Sequence, residues 1–294
     1  MRRIVCLALA ACCPSSPAFA QDAPAAVQLP SPEDVNNRDT LTIAAGAGIT
    51  ADYEGSDDYR FIPAAAVRGR YHGIAFTTRG AYLYVDVIPR GTAKVDFEFG
   101  PVIGARFNKR RHIHDDVVEL LPKTNTAIEA GAFAGVGISG LTNPYDRLAF
   151  RLDVLHDIAN AHESTVISPN IEFSTPVSRS TFIGANVGLE FVGNKYADYY
   201  YTITPAASAG TAVLLGNLLT GAQIPPFDAD GGLKNWKAGL LVNQSLSGDL
   251  LHGFSVFGTG QYSRLVGDFK RSPIVSERGS ASQWLGALGL AYTW

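Results

Sequence analysis

Apolar and polar residues alternate along most of the chain between Leu41 and Trp294. The segment LAFRLDVLHDI, residues 148–158, shows this pattern clearly. Alternate side chains of a strand lie on opposite faces, so one face here is apolar, made of Leu148, Phe150, Leu152 and Val154. The other face carries ions, at Arg147, Arg151, Asp153 and Asp157. The pattern predicts strands with one face in apolar surroundings and a charged face opposite.

Similar segments recur, and many reach ten residues or more, which is typical of membrane barrels rather than soluble sandwiches. They cover 41–53, 60–71, 93–107, 126–140, 146–157, 165–175, 181–193, 233–247, 252–264 and 283–294. Residues 74–88 form one further strand, or two short strands divided near Gly80. Both termini of such a barrel are periplasmic, so the strand number is even. We therefore predict an all-β, antiparallel up-and-down transmembrane β-barrel of twelve strands, with ten as the alternative.

The strand positions also predict the two ends of the barrel. Tight connections at 72–73, 142–145, 176–180 and 248–251 lie together on the periplasmic side. Longer polar loops lie outside, at 54–59, 108–125, 158–164, 194–232 and 265–282. Loop 194–232 is rich in Gly, Ala and Pro, so we expect it to be mobile and to lack regular structure. Aromatic residues near strand ends predict an interfacial girdle of Tyr53, Phe61, Tyr71, Phe107, Phe191, Trp236, Tyr262, Trp284 and Trp294.

The first twenty residues have the layout of a secretory signal peptide. Arg2 and Arg3 precede a short apolar run, and Ala18-Phe19-Ala20 forms a cleavage site. We expect residues 1–20 to be removed, residues 21–40 to be a disordered periplasmic leader, and residues 41–294 to form the barrel. An alternative is acylation of Cys12, because Leu9-Ala10-Ala11-Cys12 resembles a lipoprotein box. Export with a terminal aromatic residue predicts the outer membrane of a Gram-negative bacterium, in contact with lipid and lipopolysaccharide.

Composition narrows the possible functions. The chain is 46% hydrophobic and 17% charged, which excludes wholesale disorder. A formal net charge of −3 gives no basic excess, so no nucleic-acid partner is expected. Its three cysteines, Cys6, Cys12 and Cys13, all lie in the predicted signal peptide, so the mature chain has no disulfide framework or thiolate chemistry.

The inward positions predict a lumen of nearly balanced charge. Six are basic, namely Arg68, Arg70, Lys94, Arg106, Arg147 and Arg151. Seven are acidic, namely Asp96, Glu98, Glu129, Asp153, Asp157, Glu172 and Glu190. A selective channel usually presents one sign of charge, whereas a closed barrel pairs its ions. Our hypothesis is that Arg147 and Arg151 pair with acids on neighbouring strands, first of all Glu129, and that the barrel conducts poorly. The rival is a small, weakly selective pore beside the pairs.

Candidate chemistry is weak. The loop KRRHIHDDVVE holds His112, His114, Asp115 and Asp116, but His-x-His alone lacks the further ligands that a metal site needs, and a solvated loop is favoured. Glu54, Asp57 and Asp58 could hold a hard cation, although an ordinary acidic turn is favoured. His156 has no obvious serine beside it, and the hydrolase, metalloprotease and phosphate-loop motifs are missing from the sequence. We expect no enzyme activity, no metal and no cofactor.

Several loop motifs resemble one known family. They are DYEGSDDYRFIPAAAV (52–67), NKYADYYYTITPAASAG (194–210) and YSRLVGDFKRSPIV (262–275), together with the aromatic C-terminus. In this order they are similar to the MltA-interacting protein family, MipA/OmpV. The first motif contains the loop Tyr53, Glu54, Gly55, Ser56, Asp57, Asp58 and Tyr59. The apolar insert at 210–231 departs from the family pattern, which puts the role of that loop in doubt.

The resemblance implies an outer-membrane scaffold that joins a periplasmic murein transglycosylase to a peptidoglycan synthase. It also implies two other roles that family members have, surface adhesion and antibiotic response. From the residues themselves, a small-solute channel is the alternative to a scaffold. Binding of murein enzymes would favour the scaffold, and pore conductance would favour the channel.

Overall fold

The computed structural model describes residues 38–89, 93–108, 110, 112–214 and 223–294. The predicted signal peptide, Cys12 and nearly all of the predicted leader lie outside these residues, as does part of the apolar insert. Twelve strands are present among the described residues. They are β1 Thr40–Ala51, β2 Tyr59–Tyr71, β3 Ile74–Arg79, β4 Tyr82–Asp86, β5 Val95–Arg106, β6 Ala127–Ser139, β7 Arg147–Asp157, β8 Thr165–Pro176, β9 Thr181–Val192, β10 Gly232–Ser245, β11 Gly253–Leu265 and β12 Ser282–Thr293.

The strands form one closed antiparallel barrel in which each strand pairs with its neighbours in sequence. The barrel closes where β1 pairs with β12, from Thr42 opposite Thr293 to Thr50 opposite Leu285. Closure gives every strand two neighbours, which a membrane-spanning sheet requires. Residues 74–88 divide into β3 and β4 at a turn where Gly80 has φ +58°, so the twelve-strand prediction is confirmed.

The two ends of the barrel differ. The connections after β2, β6, β8 and β10 are short and lie at one end, which we call the turn end. The long connections after β5, β9 and β11 lie at the other, the loop end. Five short helices lie at the loop end among the described residues. They are α1 Asp116–Glu119, α2 Asn194–Tyr201, α3 Pro205–Leu214, α4 Gly267–Arg271 and α5 Pro273–Ser276. Short turns are periplasmic and long loops extracellular in barrels of this type, so the start of β1 and the end of β12 belong on the periplasmic side.

Loop 194–232 differs from our expectation, because it contains α2 and α3 rather than irregular chain alone. Tyr196, Tyr200 and Tyr201 of α2 are at most 1% exposed. The free energy gained by burying three aromatic rings exceeds the free energy lost to the weak helix propensity of this sequence. Tertiary packing therefore determines the local structure.

The outer face of the barrel is apolar. On β7, Leu152 is 45% exposed, whereas the adjacent Asp153 is 5% exposed and points into the lumen. Phe97 is also exposed, as the alternation predicts. Among the described residues, no helix combines the length and apolar character needed to cross a membrane.

The aromatic girdle is only partly as predicted. Phe61, Trp284 and Trp294 are exposed on the outer surface near strand ends. Tyr53 is instead buried, at 3% exposure, so its assignment to the girdle is wrong. It follows the end of β1, and its hydroxyl donates to the backbone oxygens of Ile274 (3.1 Å) and Arg278 (3.2 Å). Side chains alternate between the two faces only within a strand, so the pattern does not predict the direction of a side chain just beyond the strand end.

Candidate functional site

Ion pairs cross the lumen. Arg79 on β3 donates to both carboxylate oxygens of Glu172 on β8, in one case with Nη2 2.9 Å from Oε2. Strands β4 to β7 separate these two strands around the barrel, so the pair joins nearly opposite walls. Arg151 on β7 lies 2.8 Å from Glu172 and also donates to Asp153 at 2.7 Å. One carboxylate thus holds two arginines in the middle of the barrel.

Tyr84 on β4 completes this central cluster. Its hydroxyl donates to Asp153 at 3.1 Å. The guanidinium carbons of Arg79 and Arg151 lie 5.3 and 5.2 Å from its ring centroid, within the range of cation–π interactions. The cluster fills the part of the lumen between β3 and β8 with long side chains whose charges are paired, which offsets the cost of removing them from bulk water.

Arg147 forms a second group nearer the turn end. It contacts Asp96 and lies 2.9 Å from Glu98, both on β5. The predicted partner of Arg147 and Arg151 was Glu129, and the structure shows other acids instead. The reason is register, because Glu129 pairs with Asp157 near the loop end while Arg151 pairs with Gly135, further down β6.

Glu129 belongs to a third group beneath the loops. It is fully buried and accepts from Arg106 Nε at 2.7 Å and from the Tyr82 hydroxyl at 2.7 Å. His162 Nε2 lies 3.0 Å from Glu129 Oε1, the oxygen that also accepts from Arg106 Nε. Since the Ser164 N–H donates to His162 Nδ1, that nitrogen is the acceptor and Nε2 carries the proton toward Glu129.

Lys234 links this group to the loops. It is 1% exposed, and its Nζ lies 2.5 Å from Glu54, 2.7 Å from Glu190 and 3.1 Å from the Tyr196 hydroxyl. Arg106 also reaches Glu190, at 3.1 Å. Lys234 was not predicted as a lumen residue, because a register shift between Leu233 and Asn235 interrupts the alternation and turns its side chain inward.

Two predicted lumen residues lie at strand ends. Lys94 is exposed at the turn end and precedes β5, so its assignment to the lumen is wrong. The alternation carries no information on where a strand ends. Asp157, the last residue of β7, is buried on the inner face as predicted, and it accepts the backbone N–H groups of Ala159, His162 and Glu163, so it orders the loop after β7.

The motif loop 53–59 holds the loops together. The Glu54 carboxylate pairs with Lys234 and accepts from the Tyr196 hydroxyl, and the backbone N–H of Gly55 donates to Gln283 Oε1 at 3.2 Å. Gly55 has φ +104°, and a Cβ there would meet Val275 at 2.5 Å, so glycine is required. Ser56 is buried, Asp57 and Asp58 are exposed, and the Tyr59 hydroxyl accepts the N–H of Trp284. The loop is therefore an interlocking element.

Hydrophobic side chains from several loops pack into a lid over the barrel mouth. We define the lid by its buried members, which are Tyr53, Ile113, Val117, Val118, Leu121, Tyr196, Ala197, Tyr200, Tyr201, Ile203, Ile224, Ala229, Phe269, Ile274 and Val275. Arg110 is buried beside them and donates to the backbone oxygens of Tyr199 and Tyr200, at the C-terminal end of α2. Burial lowers the pKa of Arg110 and raises the pKa of the Tyr196 and Tyr201 hydroxyls.

The candidate metal loop has a different role. His114 binds Asp52. Its Nδ1 lies 2.7 Å from Asp52 Oδ2, and its backbone N–H donates to the same oxygen. The hydrogen bond and the charge of Asp52 raise the pKa of His114. Asp115 caps α1 and pairs with Arg278 at 2.9 Å. The described residues contain no group of three or more His, Cys, Asp or Glu placed to hold a metal ion.

Residues 43–294 match the family described as MltA-interacting protein MipA. The chain belongs to this family. A closed barrel of the MipA family with an apolar outer face is an outer-membrane β-barrel. No match was found among curated proteins.

Solved outer-membrane proteins are similar to this MipA-family chain only at low identity. The OmpT protein of Vibrio cholerae is 7% identical, with 87% of this chain and 97% of that chain covered and a TM-score of 0.32. The toluene transporter TbuX of Ralstonia pickettii is 10% identical, with 90% and 91% covered and a TM-score of 0.32. Ail of Yersinia pestis is 8% identical, with 87% and 99% covered and a TM-score of 0.22. At these scores the similarities carry no argument about function.

Proposed function

We propose that this MipA-family barrel is a closed membrane anchor that scaffolds murein enzymes at its periplasmic turn end. The observation that carries the proposal is the Arg79–Glu172 pair, which joins nearly opposite walls of the lumen. Arg151 and Tyr84 fill the space around that pair, and the lid covers the mouth above it. A lumen occupied in this way favours an anchor over a solute channel.

The family description supports the choice of partner, because it names an interaction with MltA. A murein transglycosylase of this kind would bind the turn end, and a peptidoglycan synthase would join the same assembly. The turn between β6 and β7 supplies a rigid surface there, since Asp146 accepts the backbone N–H groups of Leu141, Thr142 and Asn143 and the Thr142 hydroxyl. Burial opposes ionisation of Asp146, but these hydrogen bonds outweigh it and hold its pKa below the usual range.

Binding and conductance together test this function. Purified MltA-type transglycosylase and a peptidoglycan synthase should each bind the refolded barrel, and Asp146→Ala should weaken transglycosylase binding by loosening the turn. Asp57→Ala, at the opposite end, is the matched control and should leave binding unchanged. In planar bilayers the barrel should give no steady conductance.

Steady porin-like conductance without enzyme binding would refute the scaffold and favour the channel. Equal binding by Asp146→Ala, Asp57→Ala and the unaltered protein would place the partner away from this turn. Failure of both enzymes to bind would remove the support that the family description gives.

A further inference from the structure

Strand β2 is paired on only one side along most of its length. It pairs with β1 throughout. With β3 it pairs only from Arg68 to Tyr71, because the β3–β4 hairpin is short. The loop-end part of β2 therefore extends beyond that hairpin and presents a backbone edge on the side where β3 would continue.

Thr78 marks the point where β3 leaves β2. Its hydroxyl accepts the N–H of Val67 at 2.9 Å and donates to the Val67 carbonyl oxygen at 3.3 Å, so a side chain stands where the backbone ladder would continue. Backbone groups of an antiparallel strand point to the same neighbour at every second residue. Those of Phe61, Pro63 and Ala65 therefore point the same way as those of Val67, and among the described residues they have no hydrogen-bond partner there.

We call this gap in the barrel wall the window. β2 bounds it on one side, and the tip of the β3–β4 hairpin, at 80–81, bounds it toward the turn end. On the far side β5 is paired up to Ala105, whose N–H donates to the Ala81 oxygen at 3.1 Å. Toward the loop end, the Asn108 side chain accepts the N–H of Glu54 at 3.0 Å. Phe61, at the edge, is 85% exposed, more than any other large hydrophobic side chain in the described part of the chain, so no described loop packs over it.

The window lies at the depth of the outer-leaflet hydrocarbon. The Tyr59 hydroxyl accepts the N–H of Trp284, which places the start of β2 at the level of the loop-end aromatic residues. Phe61 and Ala65 follow on β2, about 7–20 Å along the strand at about 3.3 Å per residue. Unpaired backbone groups are tolerated at this depth only where they contact protein or line a water-filled cavity. Without a protein partner, the N–H groups of Phe61 and Ala65 require water from the lumen.

A further strand is a poor occupant for this edge. Pro63, at its centre, has no N–H, so an added strand would lose the middle bond of its ladder. Proline on an exposed edge is a common device against strand addition. The window therefore suits a lipid better than a second protein chain.

The interior beside the window is apolar. Ile62, Gly48 and Ala287 stand in one inward row across β2, β1 and β12. Toward the turn end this space stops at a buried apolar cluster from six adjacent strands, made of Ala44, Ala66, Phe182, Leu241, Phe257 and Ala291. Polar side chains lie farther around the wall and nearer the loop end, and they include the cation Lys237 with Gln261 and Ser263. The space thus has an apolar side next to the window and a polar side beyond it.

We propose that the window admits the acyl chain of an outer-leaflet lipid into the barrel. Its outer rim is apolar at Phe61, Pro63 and Ala65. The inner wall is apolar at Ile62 and Ala287, so a hydrocarbon chain keeps apolar contacts as it enters. The lipid headgroup stays outside, at the level of the aromatic residues. The buried cluster and the lid keep the entry lateral, so it gives no path across the membrane. The proposal does not rest on the scaffold function, and either can fail alone.

Amide hydrogen exchange tests the window itself. In refolded protein in lipid nanodiscs, followed residue by residue by NMR, the N–H groups of Phe61 and Ala65 should exchange at least about tenfold faster than those of Ile62 and Ala64, which point to β1. Equally slow exchange at all four positions would overturn the window. Protection of Phe61 and Ala65 that rises with the protein-to-lipid ratio would overturn the lipid and assign the edge to a second copy.

A photoactivatable lipid tests the occupant. The probe is a phosphatidylcholine with a diazirine at the end of one acyl chain, and labelled residues are located by mass spectrometry. Outward Leu152 should be labelled in any case. Inward Ile62 and Ala287 should also be labelled, whereas inward Ser168, on β8 away from the window, should not. Labelling confined to outward residues would overturn the proposal, and equal labelling of Ser168 and Ile62 would exclude the window as the route.

Two tryptophan variants locate the chain inside the barrel. Ala287→Trp should fill the space behind the window and remove the labelling of Ile62. Leu288→Trp, on the outward neighbour, is the matched control and should leave that labelling unchanged. Both variants are compared only if they keep the folded mobility on unheated gels, and the unaltered protein decides the proposal without them. Undiminished labelling in Ala287→Trp would contradict the apolar wall as the binding surface. Labelling of Ile62 by a free diazirine fatty acid but not by the phospholipid would overturn a bilayer lipid as the occupant.

Discussion

Glu172→Gln should destabilise the barrel more than any other single change in the central cluster. Glu172 accepts from both Arg79 and Arg151. In glutamine one carboxylate oxygen becomes an NH₂ group, which would face a guanidinium donor. The change removes the carboxylate charge that pairs with Arg79 and one of the two acidic side chains that contact Arg151.

The magnitude follows from burial. The side chains of Arg79 and Glu172 are 16% and 10% exposed, and that of Arg151 is 4% exposed, so solvent screens the pairs little. Removing one partner of a buried ion pair costs about 3–5 kcal/mol, because the other charge stays buried. Arg79→Met should cost less, about 1.5–3 kcal/mol, because Glu172 keeps Arg151.

Urea unfolding of refolded protein in lipid vesicles, followed by the mobility shift on unheated gels, measures these differences. The double variant Arg79→Met, Glu172→Gln should cost less than the sum of the single changes, with a coupling of about 0.5–3 kcal/mol. Glu163→Gln, in an exposed pair with Lys195, is the control and should have no measurable effect. If both central variants stayed within about 0.5 kcal/mol of the unaltered protein, the pairs would be well hydrated and the lumen open, contrary to our reasoning.

Three further changes test the facing of the strands and the locking of the lid. Leu152→Arg should cost about 2–4 kcal/mol in urea unfolding, and Thr259→Arg, on the inner face of β11, clearly less; equal costs would contradict the facing. Arg110→Met should free the C-terminal end of α2 and speed protease cleavage of the lid on intact cells, and an unchanged cleavage rate would argue against this tie. The raised pKa of His114 means that its bond to Asp52 stabilises fully below the unfolded pKa of about 6.5 and is lost as pH rises through the folded pKa. Lid cleavage should therefore rise with pH in the unaltered protein but not in His114→Gln, and parallel pH profiles would exclude the pair as the cause.

The alternation predicted the barrel well because its period matches the pleat, and lipid makes that period strict. On β7 the exposed Leu152 and buried Asp153 lie as the sequence indicated. Strand number also followed, since parity required a break near Gly80. Strand facing and strand number depend on the local sequence pattern and on general rules for membrane barrels. Both can therefore be predicted from a single sequence.

The ion pairs could not be predicted in the same way, because they depend on register and on the shape of the lumen. The sequence placed Glu129 and Arg147 on the same inner face, but not at their different heights along β6 and β7. Arg79 was missed because β3 is short and its alternation is weak. Arg79 lies two residues after Thr77, so the two side chains share one face of β3, and this spacing could have indicated an inward arginine. Lys234 was beyond reach, since a bulge cancels the period that the prediction uses.

The lid explains why the resemblance to the MipA family lies in loops rather than strands. Many sequences satisfy the alternation of a membrane strand, so strands identify a barrel but not a family. The lid needs particular groups instead, such as the Tyr53 hydroxyl against the oxygen of Ile274 and the Glu54 carboxylate between Lys234 and Tyr196. The segments 52–67, 194–210 and 262–275 supply most of these contacts, and they are the same segments that carry the resemblance. The segments that identify the family therefore close the loop end of this barrel, and under the proposed scaffold function the turn end is the surface left for a periplasmic partner.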